Sequence, residues 1–569
     1  MYRLAPTASS GGDGKLRTKE WPQAPAKPLG FPAKPPVFRP LKIYAFGPSL
    51  GRARGNIRTI NVRYEKLAPG PVGERIAVVD YDRSRDCFYD PVDLDDPLIA
   101  INGGVEPSES DPHFHQQMVY AVASETLRRI EVALGRTVKR RSPQGAAPLR
   151  LTIYPHGAVT ANSFGVDDGR IVLGYFRATE KATGRTLPGQ TVFTCLSHDV
   201  IAHVTTTTIL SAMRPDLKAS RSGNEGSATF AVAMSDLTAL LFHFTHRDVV
   251  LDTIHRTAGI IYQSQLETER EPAAGGARIL AELASNNPLL ALGQDFGEAM
   301  GRVGGLRSAL TAPDPTALER TLEPHGRAEI MVAAVFDALF SIYQRRTIDL
   351  FRIYRAGGGR VPVDDVPEPL AARLCDEVER IVNRVFNMCW RALDYCPPVH
   401  LALGDVLRAC ITADYEYTPD DAWGLRDAMM QAFRLRGIKP STAAFFSEDT
   451  LRWPPVDTGN WTRAALDLTR LSDGGGDREL RQFIDENASA LGFTDADLAV
   501  FPLETARLTS PNDVPQTTWS TQLLSKDAAV TLVFDSGGRL RYAIPSSPVG
   551  PPASASTAAP RPRKPAAKR

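Results

Sequence analysis

His203 stands in the run Ile201-Ala202-His203-Val204-Thr205-Thr206-Thr207-Thr208-Ile209-Leu210, an imidazole followed four residues on by the hydroxyl of Thr207. Residues four apart share one face of a helix. Two histidines at that spacing hold a metal ion, and a glutamate after the first takes a proton from metal-bound water, the H-E-x-x-H arrangement. Here only the first imidazole stands. Val204 takes the glutamate place and Thr207 the second histidine place. A neutral hydroxyl is a poor zinc ligand, and a valine has nothing with which to accept a proton.

Those residues need a helix under them. Ser197 is placed to cap a helix over 196–213, with Asp199 in the first turn complementing its dipole. Val200, His203, Val204 and Thr207 then fall on one face. The run Thr205 to Thr208 disfavours an isolated helix, because β-branched side chains lose rotamer freedom there. Tertiary packing must therefore hold it, as it does a buried central helix. Upstream, 41–46, 75–81, 149–154 and 170–176 read as strands and 116–134 as a helix. Downstream, helices are predicted at 226–246, 280–301, 327–354, 370–392, 401–413 and 422–437, and a β-hairpin at 529–544. Strands first and helices later is an α+β order. The chain divides into a Pro-rich arm (1–40), a mixed part (41–190), a helical part (191–440), a small α/β segment (441–545) and a basic tail (546–569).

Composition bounds the partners. A formal net charge of +1 over 569 residues argues against bulk electrostatic binding to nucleic acid or anionic membranes. No apolar run has the length of a membrane span, and the first residues lack the apolar core of a secretory signal, so a cytoplasmic protein is expected. The six cysteines include no C-x-x-C pair and read as reduced, mostly buried small hydrophobes.

The run at 201–210 resembles the V-A-H-E-T-T-H-A-I-L segment of the gluzincins, the thermolysin-like zinc metallopeptidases. That resemblance implies a third ligand, a glutamate in E-x-x-x-D on the next helix. The similar stretch here is Phe230-Ala231-Val232-Ala233-Met234-Ser235-Asp236-Leu237, with Val232 in the ligand place and Asp236 keeping the aspartate that supports the first histidine. Ala161-Asn162-Ser163-Phe164 resembles the edge strand with which these enzymes hold substrate backbone, so Asn162 and Ser163 are cleft-lining candidates. The segments Asp111 to Tyr120, Val332 to Ala338 and Arg391 to Pro398 extend the likeness to a group of bacterial gluzincin-like proteins, over roughly residues 41–440. The implied fold is thermolysin-like α+β, with a cleft between the mixed and helical parts.

With Val204, Thr207 and Val232 in place of base and ligands, the expected protein is an inactive metallopeptidase homologue. It would bind a peptide or protein partner in the former cleft, without a cofactor. His203 with Asp236 would remain as a buried hydrogen-bonded pair with a structural role, or as part of a ligand site. The alternative is an active zinc peptidase with a noncanonical metal site built from His203 with Asp199 or His198. A third reading is an adaptor that works through its Pro-rich ends. His113 and His115 form an H-x-H pair before a helix and read as structural. His325 and Arg327 precede a core helix, where capping is the simplest role. Cys195 lies one turn from Asp199 without the surroundings of a nucleophile.

Overall fold

The computed structural model describes residues 36–546, apart from 51–54, 166–167, 183–185, 219–224, 260, 262–287, 302–306, 310, 360–365, 441–442, 444, 473–475, 494–497, 510–514 and 526–527. The terminal arms thus lie outside the described residues, except 36–40 and Ser546. The first strand, β1 (Phe38–Tyr44), begins inside the stretch read as an arm. It pairs antiparallel with β2 (Ile57–Arg63), Pro40 facing Asn61. A two-stranded ribbon has a free outer edge, where a residue without an N–H is tolerated.

A five-stranded mixed sheet follows. Strand β3 (Ile76–Val78) pairs parallel with β4 (Leu151–Val159), which pairs parallel with β6 (Arg170–Arg177). The outer side of β6 carries two short antiparallel strands, β5 (Phe164–Gly165) and β7 (Thr191–Phe193). Parallel neighbours require a crossover, and helix α1 (Pro112–Leu134) supplies it between β3 and β4. Asp111 caps α1 by accepting from the His113 amide, Pro112 opens it, and Gly135 closes it in the left-handed conformation. Every residue from Phe114 to Ala123 is buried, so this half of α1 is surrounded by protein on all sides.

Helix α2 (His198–Met213) lies beside α3 (Glu225–His243). Around them pack α4 (Arg247–Arg256), α5 (Pro324–Ala356), α6 (Glu368–Arg391), α7 (Leu403–Tyr417) and α8 (Leu425–Leu435). One apolar cluster runs from Leu41 through α1 and the helices to Trp453, so a single core crosses the boundary read at 190. Of the helix predicted at 280–301, residues 280–287 lie outside the described ones. The rest forms a 3₁₀ turn, a two-residue strand and the short helix Gln294–Ala299. Gly293, in the left-handed conformation, and Pro288 break the apolar periodicity there.

The C-terminal segment is richer in strand than its sequence indicates. Beyond the predicted hairpin, β11 (Ala529–Phe534) and β12 (Leu540–Pro545), it contains β8 (Ala499–Val500), β9 (Glu504–Thr509) and β10 (Pro515–Leu524) in one antiparallel sheet. One face covers Leu480, Phe483 and Ile484 of a small helix. Val533, Tyr542 and Ile544 join the main core. Beside that junction Arg136 meets Asp394 in a two-pronged pair, and Glu504 stands 3.2 Å from both Arg136 and Arg141, all four side chains largely buried. No single helix among the described residues is long and apolar enough to cross a membrane.

Candidate functional site

On α2 only Val200, His203 and Thr207 escape full burial, and these three form one stripe along the helix. Ala228, Ala231 and Val232 make the corresponding stripe on α3. The sequence-predicted metal face is therefore the one face of this central pair that reaches the surface. Val204, in the base position, is buried against the core.

Two contacts join the helices beneath the stripes. The Nδ1 atom of His203 lies 2.9 Å from Oδ1 of Asp236, whose carboxylate is buried while the imidazole keeps 21% of its surface. The oxygen stands off the line of the ring N–H, so the pair is an electrostatic contact rather than an aligned hydrogen bond. The facing atoms of the pair are buried, whereas the outer edge of the ring is partly open. One turn on, the Thr207 hydroxyl lies 2.9 Å from the Ser235 hydroxyl, and one donates to the other. Each also lies within reach of the carbonyl one turn back, Thr207 of His203 and Ser235 of Ala231, and with one hydrogen apiece the hydroxyl that donates across the pair gives up its own carbonyl. At the two positions read from the sequence as replaced metal ligands stand a hydroxyl, that of Thr207, and the side chain of Val232.

These residues do not fit zinc. One imidazole, one hydroxyl and one valine fall short of three ligands. The alternative partners face elsewhere. His198, five residues from His203 and so about 140° round the helix, packs against Phe242 and His246. Asp199 accepts from the Ser197 hydroxyl and from the amides of Val200 and Gly293. The predicted Ser197 cap is corrected by the same contacts: its hydroxyl makes no cap bond, and Asp199 takes the Val200 amide of the first turn. At α5, Glu323 rather than His325 caps, accepting from Gly326.

Strand β5 lies directly on α2. A methyl group added at Gly165 would come within 1.9 Å of the Thr208 hydroxyl, so only glycine lets the strand approach this closely. Among the described residues no strand pairs with the far side of β5. Asn162 and Phe164 are exposed there, while the Ser163 hydroxyl donates to Thr194. The two cleft candidates thus differ: Asn162 faces solvent and Ser163 is tied inward.

The H-x-H pair, read together from the sequence as structural, is divided between two environments. His113 sits partly exposed in the first turn of α1, whereas His115 turns inward to His156 of β4, which reaches Asp80. Nothing in the spacing of Asp80, His115 and His156 marks them, since three separate elements bring them together. All six cysteines are free thiols, and only Cys87 is not buried. No family model, no curated protein and no solved structure matches the chain.

Proposed function

We propose that this chain is a thermolysin-like peptidase scaffold without peptidase chemistry, which holds an extended peptide between β5 and the open stripes of α2 and α3. The observation that carries the reading is the make-up of those stripes. Val200, Thr207, Val232 and two alanines share the stripes with the one imidazole, which keeps its aspartate partner. Such a surface offers apolar contact and one titratable donor, and it lacks both the Lewis acid and the base of water activation. The open side of β5 offers backbone groups for strand addition, with Phe164 and Asn162 beside them. Apolar and β-branched replacements fill the lost positions without leaving an uncompensated buried charge.

The test compares the parent with the variant Val204→Glu/Thr207→His/Val232→Glu. The parent should leave unfolded casein intact, and the variant should bind about one zinc equivalent more than the parent, three ligands having been restored. Retention of peptides from a casein digest should fall at least about tenfold in Val232→Arg, a loss of about 1.4 kcal/mol. Casein cleavage by the parent that disappears in His203→Ala would overturn the reading. So would peptide retention indifferent to Val232→Arg.

A further inference from the structure

Away from the α2–α3 stripes, a chain of buried polar groups runs through the mixed sheet. Asp80, after β3, has Oδ1 2.6 Å from Nδ1 of His156, and Nε2 of His156 lies 2.8 Å from Nδ1 of His115. Nε2 of His115 lies 3.1 Å from the Glu109 carbonyl. Gln116 donates to the other oxygen of Asp80 at 2.9 Å. Both rings are 2% exposed and Asp80 6%. Cys195, in the 3₁₀ turn before α2, is fully buried beside them, its sulfur and one nitrogen of each ring all lying within 4.8 Å of one another. Among the described residues this is the one His, Cys, Asp or Glu group that converges so.

The hydrogens decide what can sit there. A carbonyl oxygen only accepts, so Nε2 of His115 carries a hydrogen and its Nδ1 offers a lone pair. With Asp80 ionised, Nδ1 of His156 carries a hydrogen and its Nε2 offers a lone pair. The two lone pairs then face one another across 2.8 Å. That arrangement is repulsive unless a proton or a metal cation lies between them.

We propose that His115, His156 and Cys195 form a buried site for a divalent transition-metal ion of zinc's class. Asp80 and the Glu109 carbonyl hold the two ring N–H groups, the arrangement that fixes tautomer and ring direction at histidine metal sites. Charge selects the divalent ion. Two neutral imidazoles, the Cys195 thiolate and the Asp80 carboxylate supply two negative charges, so a divalent cation leaves the buried group neutral. Binding releases the thiol proton of Cys195 to solvent and changes no oxidation state. At a tetrahedral angle two zinc-bound nitrogens stand roughly 3.3 Å apart, so on binding the rings must part and turn their lone pairs toward a common point beside Cys195. Glu109 and Phe193, which contact the His115 ring, also line a surface pocket.

This site is independent of the peptide-binding reading, and the experiment separates them. Full-length protein is stripped with a chelator, then titrated with Zn²⁺ and, separately, Co²⁺. About one equivalent of zinc should bind, and the Co²⁺ form should show thiolate-to-metal charge-transfer absorption. Cys195→Ser and His115→Gln should each lower metal affinity at least about tenfold, whereas His203→Ala should leave it unchanged. The Co²⁺ spectrum of the unaltered protein keeps the test valid should a variant misfold. Absence of bound metal, leaving a proton-bridged histidine pair, would overturn the site. So would a Co²⁺ complex without thiolate absorption. Metal lost in His203→Ala but kept in Cys195→Ser would overturn both this site and the inactive-cleft reading.

Discussion

At the scale of single residues, helix α2 shows how a threonine run is kept helical inside a core. Thr207 and Thr208 turn their hydroxyls back to the carbonyls of His203 and Val204. Thr205 and Thr206, both fully buried, find no hydrogen-bond partner for theirs among the described residues. An unsatisfied buried hydroxyl costs free energy that its isostere does not. Thr206→Val should therefore stabilise the protein by about 1 kcal/mol, read as a higher urea midpoint at unchanged slope. A lower midpoint would mean that the hydroxyl has a partner. The shared face of Val200, His203 and Thr207 was legible in the sequence because residues three and four apart lie on one side of a helix. The Thr207–Ser235 bridge was not, since it depends on how two helices are rotated against each other. The Asp80–His156–His115–Cys195 group was hidden for the same reason, its members coming from four elements.

At the scale of elements, α2, the end of α3 and the turn before α4 enclose three neutral histidines. Burial lowers His198 and His246 far below the ordinary imidazole range, and the charges of Arg58 and Arg129 with the neighbouring histidines act in the same sense. Burial also lowers His243, against an opposing pull from Asp199. The folded state therefore refuses protons that the unfolded chain accepts below about pH 6.5. Stability is full above that pH and falls as the pH drops, by up to about 1.4 kcal/mol per unit for each histidine. The urea midpoint should be flat from pH 8 to 7 and decline towards pH 5, and His246→Gln should shallow that decline. An equally steep decline in the variant would remove His246 from the account. Long helices such as α5 and α6 were legible from apolar periodicity alone. The segment 288–301 and strands β8 to β10 were not: Gly293 interrupts the first, and Thr and Gln on half-covered strands hide the others.

At the scale of the whole molecule, the mixed and helical parts share one core, and the C-terminal sheet is fastened to it by charge as well as by apolar contact. Glu504 stands between Arg136 and Arg141, with Asp394 completing the balance. Removing one member of a buried ion group leaves the rest uncompensated. Glu504→Ala should cost about 3 kcal/mol, and limited proteolysis should release the C-terminal segment earlier than in the parent. Unchanged cleavage kinetics would show that the apolar contacts of Val533, Tyr542 and Ile544 suffice. The α+β order was legible from the sequence of strand and helix signals, whereas the single core was not, because no local pattern records which faces meet. Helix α1 is where those faces meet, enclosed along Phe114 to Ala123, with Gln116 and Gln117 bonded to Asp90, Val92, Lys42 and Val105. Such a helix has no local route to solvent. Its amide hydrogens should exchange with deuterium only when the whole core opens, making this stretch the slowest clock in the molecule.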